Sequence, residues 1–198
     1  MKALLPAPFI KGVPGRMQSN ARGFVKVLVV SISMFSSLST AWSYDRIEVA
    51  GDVATAVAVA AAGGMTLALK DREGMVQLAK SAALDLAVTY GLKYTVSERR
   101  PNGEDNQSFP SAHSSVAFTS AEYLRKRYGW EYGIPVYGVA AFVAYSRVEA
   151  DKHYVHDVLA GAAIGIASSY LFTTPNLNFN VSAEAAPGYY GVRLTQAW

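Results

Sequence analysis

The spacing of apolar positions predicts helices over the central part of the chain. Residues 53–69 are almost all Ala, Val, Gly and Thr and lie between Asp52 and Lys70, which is typical of a buried helix of small residues. Residues 76–95 predict a second helix whose polar residues recur every four positions. These residues are Ser81, Asp85, Thr89 and Lys93. Because a charged Asp in mid-helix is costly against lipid, we expect this face to meet a polar cavity or water.

A third helix is predicted over residues 111–127. Ser108 or Ser111 can cap its N-terminus, because a serine hydroxyl accepts from the backbone N–H groups of the first turn. Three consecutive basic residues suit the negative end of its dipole, and Gly129 closes it.

Two more helices complete the apolar part of the chain. The first continues to Arg147 and has Pro135 in its first turn, and the second covers residues 154–172 and stops before Pro175. Apolar and polar residues then alternate on both sides of a Pro–Gly turn at 187–188, which predicts a β-hairpin. The predicted fold class is all-α: a helical bundle of about five helices with a small C-terminal β-hairpin.

The N-terminal residues have the pattern of a secretory signal. Residues 22–43 contain basic residues, an apolar run and then Ala41 and Ser43, spaced as at a cleavage site. An uncleaved N-terminal anchor is the alternative, which a mature N-terminus at Tyr44 would exclude. We therefore divide the chain into a signal peptide or N-terminal anchor (1–43), a helical domain (44–175) and a C-terminal hairpin extension (176–198).

Composition narrows the class of protein without deciding it. A chain of 198 residues is long enough for one well-buried domain, and 51% hydrophobic residues with a mean hydropathy of +0.14 leave membrane attachment open. The net charge of +3 comes from scattered Lys and Arg, which suits an anionic substrate or a membrane surface. No motif supports nucleic-acid binding. The absence of Cys excludes disulfides, thiol nucleophiles and Cys-based metal sites.

Three polar segments contain the groups needed to bind a phosphate. They read K-Y-T-V-S-E-R-R-P from residue 93, P-S-A-H from residue 110 and S-R-V-E-A-D-K-H-Y-V-H-D from residue 146. Lys93 supplies a point charge, and Arg100 and Arg147 each supply a planar fork that matches two phosphate oxygens. The hydroxyl of Ser111 and the backbone N–H of Ala112 lie at a predicted helix N-terminus, where anions bind.

The histidines in these segments supply the groups needed for phosphoryl transfer. Asp157 follows His153 by four residues, so on a helical turn its carboxylate can accept from one imidazole nitrogen and leave the other free to attack phosphorus. His113 can then protonate the departing alkoxide. Since one histidine must be neutral and the other protonated, we expect a bell-shaped pH profile between mildly acidic and neutral pH.

A metal site is the alternative use of three histidines. His153 and His156 are three residues apart without a Glu or Cys partner pattern, and two arginines beside a metal ion would repel it. We therefore expect no metal and no cofactor, and assign His156 a structural role.

The three segments resemble the signature of the type 2 phosphatidic acid phosphatase superfamily, which includes bacterial class A acid phosphatases and vanadium haloperoxidases. That signature is K-x6-R-P, then P-S-G-H, then S-R-x5-H-x3-D. The matching residues are Lys93, Arg100 and Pro101; Pro110, Ser111 and His113; and Ser146, Arg147, His153 and Asp157. The resemblance implies an all-helical bundle, a phosphohistidine on His153, acid catalysis by His113 and orientation by Asp157. It also implies that no metal is required and that the phosphate is contacted by Lys93, Arg100, Arg147, Ser111 and the amide of residue 112.

The chain departs from this family pattern in two ways. Ala112 stands where the signature has Gly, which keeps the amide N–H but restricts the backbone if the position needs a positive φ. Lipid phosphatases of the family usually have six long membrane helices, whereas this chain offers about five shorter ones after its signal-like segment.

The predicted function is that of a phosphoric monoester hydrolase of the acid phosphatase or lipid phosphate phosphatase type. It would act without metal on a phosphorylated small molecule or on a lipid phosphate or diphosphate, with residues 44–175 as the phosphatase domain. The predicted location is the bacterial periplasm or cell envelope, with the inner membrane as the alternative. A vanadate-dependent haloperoxidase and a non-catalytic envelope protein with a vestigial anion site are the other functions that the sequence leaves open.

Overall fold

The computed structural model describes residues 44–176, 178–186 and 189–197, and the side chains of residues 46–176. The predicted signal segment, 1–43, lies outside the described residues. Five helices follow one another: α1 Tyr44–Ala68, α2 Arg72–Val96, α3 Ala112–Tyr128, α4 Trp130–Glu149 and α5 Val155–Phe172. Strands β1 (Asn178–Ala186) and β2 (Tyr189–Ala197) pair antiparallel, with Ala186 opposite Tyr189. The predicted fold class is confirmed.

Two helix starts differ from the prediction. Helix α1 begins at Tyr44 rather than at residue 53, because its buried stripe of alanines already starts at Ala50, so Asp52 lies inside the helix instead of marking its beginning. Helix α4 begins directly after Gly129, which caps both α3 and α4. Pro135 is therefore inside α4 and not in its first turn.

Helix α3 is the centre of the bundle and packs against the four other helices. Its contact with α5 is close because two glycines of α5 face the α3 backbone. A Cβ atom on Gly161 would clash with the carbonyl oxygen of Ser111, and one on Gly165 would clash with that of Ser115. Small residues at these positions let the two helix backbones approach each other. This contact holds the N-terminal turns of α3 and α5 beside each other.

An ion pair joins α2 and α3 at the opposite end of the bundle, where α2 begins and α3 ends. Arg127, in the last turn of α3, donates from Nε and Nη2 to the two carboxylate oxygens of Asp71, both at 2.7 Å. Asp71 also caps α2 by accepting from the N–H of Gly74 at 2.8 Å. Bidentate pairs of this kind are geometrically specific. The basic residue predicted to suit the helix dipole therefore joins two helices.

Polar residues of α2 face the protein interior, and apolar residues face outward. The predicted polar stripe is buried along its whole length. Within it, Thr89 donates to the hydroxyl of Ser115 at 3.2 Å, and Ser115 donates to Asp85 at 3.3 Å. The exposed side of α2 instead carries large apolar side chains, including Leu86, Val88, Tyr90 and Tyr94. The stripe thus meets other helices of the bundle rather than water.

Helices α1 and α5 have apolar outer surfaces as well. Both are long and apolar enough to cross a membrane, by length and composition, over Arg46–Ala68 and Val155–Phe172. Their exposed apolar residues include Val53, Val59, Leu67, Leu159 and Leu171. Apolar surface of this extent is typical of contact with a membrane or a partner.

Candidate active site

The three predicted segments meet at one end of the helical bundle. Helices that follow one another in the chain alternate in direction, so this end collects the C-terminal turns of α2 and α4 and the N-terminal turns of α3 and α5. Lys93 comes from α2, Arg147 from α4 and Asp157 from α5. The loop between α2 and α3 adds Arg100, and the loop before α5 adds His153. The bundle therefore brings together residues that are distant in sequence.

His153 is buried between a carboxylate and a guanidinium group. Its side chain is only 3% exposed, with Nδ1 3.5 Å from Asp157 Oδ2 and Nε2 3.5 Å from Arg100 Nη1. The predicted neighbours His153 and Asp157 are thus adjacent, but 3.5 Å is longer than an ordinary hydrogen bond. His153 precedes α5, so the two residues do not lie on one helical turn as the spacing had suggested.

Asp157 is fixed by other groups of the site. Its Oδ2 accepts from the hydroxyl of Ser108 at 2.5 Å and from the backbone N–H of Tyr154 at 2.8 Å. The second bond is that of a capping box at the start of α5. Its carbonyl oxygen accepts from the N–H of Ser111 at 3.0 Å. Of the two serines predicted as caps of α3, Ser111 is the N-cap and Ser108 instead holds Asp157.

The surroundings of His153 keep its imidazole neutral. Burial, followed by the positive charges of Arg100 and Lys93, lowers the pKa of His153 to about 3, against the opposing effect of Asp157. A neutral imidazole has a free lone pair. His153 is therefore in the protonation state that a nucleophile requires.

Two cations of the site are held by backbone and carboxylate oxygens. Lys93 Nζ donates to the carbonyl of Gln107 at 2.7 Å, and burial together with the charge of Arg100 lowers the pKa of Lys93 to about 8. Arg100 Nε donates to Asp105 at 2.7 Å, and its Nη1 donates to the carbonyl of Lys152 at 3.3 Å. These bonds orient both cations before any anion binds.

His113 and Arg147 share one carboxylate, that of Asp52. His113 Nε2 lies 3.1 Å and Arg147 Nη1 2.8 Å from the same oxygen, Oδ1. Arg147 is buried and also donates to the carbonyl of Glu48. Sequence reasoning missed Asp52 as a site residue, because it took this carboxylate as the boundary of a helix rather than as a residue inside one.

The glycine that precedes Asp52 sets the distance between α1 and the site. A Cβ atom on Gly51 would clash with the side chains of Ser146 and Arg147. The backbone of α1 therefore lies directly against the last turn of α4. This contact places the side chain of Asp52 within reach of both Arg147 and His113.

Among the described side chains, Glu98, His156 and Asp157 have potential metal ligands within 4.8 Å of one another. His156 Nε2 lies 3.0 Å from Glu98 Oε1 and 3.1 Å from Asp157 Oδ1, and its ring stacks on Tyr154. A cation bound there would share Asp157 with the His153 site. Chelator sensitivity of any activity therefore tests this cluster.

The fold and the site define an all-α protein in which three motif segments bring cations, serines and histidines together. The family model described as PAP2 superfamily matches residues 74–179, which is more than half of the chain. The chain belongs to this superfamily. Asp52 and the rest of α1 precede the matched residues.

Similar proteins agree with this assignment. A Helicobacter pylori protein described as Lipid A 4′-phosphatase is 32% identical over 123 residues, covering 57% of this chain and 62% of the relative. A Porphyromonas gingivalis Lipid A 1-phosphatase is 38% identical over 94 residues, covering 43% of this chain and 21% of the relative. The chain thus spans less than two thirds of either relative. The crystal structure of Aquifex aeolicus LpxE shares the fold, with a TM-score of 0.54 and 23% identity over 63% of this chain and 83% of that one.

Proposed function

We propose that the protein is a metal-independent lipid phosphatase that hydrolyses a phosphomonoester through a phosphohistidine on His153. The observation that carries this proposal is the convergence of the three motif segments on a buried His153 at the end of a bundle with an apolar outer surface. The names of the relatives, Lipid A 1- and 4′-phosphatases, support a lipid phosphate as the substrate. No observation favours a haloperoxidase or a non-catalytic envelope protein.

In the proposed first step, Nε2 of His153 attacks phosphorus and the bond to the lipid oxygen breaks. His113 donates its proton to that oxygen, which leaves as an alcohol. Three cations stabilise the negative charge that spreads over the phosphoryl oxygens. These are Lys93, Arg100 and Arg147. The hydroxyl of Ser111, the N-cap of α3, and the backbone N–H of Ala112, in its first turn, add neutral donors.

In the proposed second step, water replaces the histidine. His113, now neutral, takes a proton from the water as its oxygen attacks phosphorus, and the bond to His153 Nε2 breaks. Inorganic phosphate leaves and the imidazole returns to its neutral form. Asp157 keeps the ring of His153 oriented through both steps.

The outer surface of the bundle supports action at a membrane. A lipid phosphate presents its headgroup at the membrane surface while its acyl chains stay in the apolar layer. A catalytic site at the end of a bundle with apolar sides suits that geometry, because the exposed faces of α1, α2 and α5 can lie against acyl chains. We therefore propose that the protein acts at a membrane of the cell envelope.

The proposed function predicts activity in EDTA with a preference for lipid. Purified protein in detergent micelles should hydrolyse phosphatidic acid with a kcat/KM at least about tenfold above that for p-nitrophenyl phosphate, because only the lipid gains binding energy from the apolar surface. Phosphate release measured with and without EDTA checks this. Activity lost in EDTA and restored by a metal ion would instead point to Glu98 and His156, and a preference for the soluble ester would argue against a lipid substrate.

The pH dependence of kcat/KM should follow His113. Burial, followed by the charge of Arg147, lowers the pKa of His113 below its usual 6.5, while Asp52 partly opposes the shift. A general acid works only while protonated, so kcat/KM should fall as pH rises through this lowered pKa. Because the pKa of His153 is lowered to about 3, this residue stays neutral over the same range. We therefore expect a single falling limb in place of the bell-shaped profile that the sequence had suggested. Rates measured from about pH 4 to 9 test this, and a kcat/KM that rises between about pH 6 and 8 would contradict it.

A further inference from the structure

Asp52 is an anion in a site built to bind anions. Its carboxylate lies against His113 and Arg147, which the proposed mechanism assigns to the leaving-group oxygen and to the phosphoryl group. A carboxylate in this place weakens phosphate binding by like-charge repulsion, so its presence calls for a compensating role.

Exposure shows which side of the phosphate Asp52 would face. The side chain of His153 is 3% exposed, whereas those of His113 and Asp52 are 42% and 48% exposed. The nucleophile is therefore at the closed base of the site, and the acid and Asp52 are at its mouth. Because phosphoryl transfer places the attacking and leaving groups roughly in line, a group attacked from His153 departs toward His113 and Asp52.

The backbone keeps Asp52 at this mouth when a phosphate binds. The contact of Gly51 with Arg147 and Ser146, and the bond from Arg147 to the carbonyl of Glu48, fix this turn of α1. Phosphate oxygens would displace the carboxylate from Arg147. The half-exposed side chain of Asp52 can then rotate, but it remains next to the leaving group.

We propose that Asp52 is a specificity-determining residue that selects phosphomonoesters of neutral or cationic lipid alcohols over lipid diphosphates. This inference rests on the proposed function and narrows its substrate class. When the terminal phosphorus of a lipid diphosphate is attacked, the leaving group is the lipid monophosphate, which places up to about two negative charges beside the carboxylate. A hydroxyl or ammonium group next to the scissile ester can instead donate a hydrogen bond to Asp52. The repulsion at a half-exposed site is expected to disfavour the diphosphate by about tenfold to a hundredfold.

The test compares two lipids with identical acyl chains, phosphatidic acid and diacylglycerol diphosphate, in the same detergent micelles. The wild-type protein should have a higher kcat/KM for the monophosphate by at least about tenfold. Asp52→Asn keeps the shape and removes the charge, so it should reduce this preference by at least about tenfold. Glu48→Gln is the matched control: its carboxylate lies one turn earlier on α1 and pairs with Lys152 at 3.2 Å, and its loss should change the preference less than about twofold.

The outcomes separate this inference from the proposed function. If the wild-type protein hydrolyses lipid but Asp52→Asn leaves the preference unchanged, or Glu48→Gln shifts it equally, the inference is overturned and the phosphatase stands. If the wild-type protein or the variant turns over neither lipid, the inference is tested by binding instead: calorimetric titration compares the affinities of both proteins for inorganic phosphate and diphosphate. Asp52→Asn should then gain at least about tenfold in affinity for diphosphate relative to phosphate, and an unchanged ratio overturns the inference.

Discussion

Replacing His153 with alanine should lower kcat/KM for phosphatidic acid at least about a thousandfold, because the proposed reaction loses its nucleophile. The ring of His153 lies beside both Arg100 and Asp157, and no other histidine shares that position among the described residues. Without His153, a water molecule would have to attack the phosphorus of the bound lipid directly. Phosphate release by the purified variant in detergent, with EDTA present, measures the loss.

Two companion measurements make this result specific to a phosphohistidine. His156→Gln removes the neighbouring exposed imidazole, which pairs with Glu98, and should cost less than about tenfold. Acid-sensitive, base-stable labelling of the wild-type protein by a radioactive substrate should disappear in His153→Ala. Turnover that survives the loss of His153, or labelling that persists in the variant, would contradict the proposed mechanism.

Replacing Gly165 with alanine should destabilise the fold by about 3 kcal/mol, the largest stability effect that we expect from a single methyl group. The added Cβ would meet the carbonyl oxygen of Ser115 and the backbone nitrogen of Thr119, so α5 must move away from α3. Neither neighbouring atom belongs to a flexible side chain that can give way. The same shift would separate Asp157 from Ser111, so activity should fall together with the unfolding temperature, measured by circular dichroism in detergent.

Gly63→Ala is the matched control for this substitution. Gly63 also lies inside a helix, but a Cβ there would meet nothing within 4 Å. Alanine restricts the unfolded chain more than glycine does, so this variant should gain about 0.5 to 1 kcal/mol. If both alanines shifted the unfolding temperature equally, close packing between α3 and α5 would not explain the first result.

Local patterns in the sequence determined the helices and the chemical groups of the site. Four-residue spacing revealed the polar stripe of α2, and serine and glycine marked the two ends of α3, because these signals depend on neighbours within one or two turns. The three motif segments likewise predicted an anion site with two histidines, and the structure brings these segments together. Their spacing did not decide the geometry of His153 and Asp157, since His153 lies before the helix that contains Asp157.

Contacts between distant segments could be decided only by the tertiary structure. Asp52 meets Arg147 across 95 residues, and Ser108 meets Asp157 across 49, yet neither residue type is distinctive in its own segment. The direction of the α2 stripe was likewise ambiguous, because periodicity separates two faces without saying which one is buried. Packing around α3 resolved it: Asp85 and Thr89 find partners inside the bundle, and the apolar side is left facing outward. The sequence by itself thus determined which groups this protein has for the proposed phosphate chemistry, while the packing of five helices decided which of them touch.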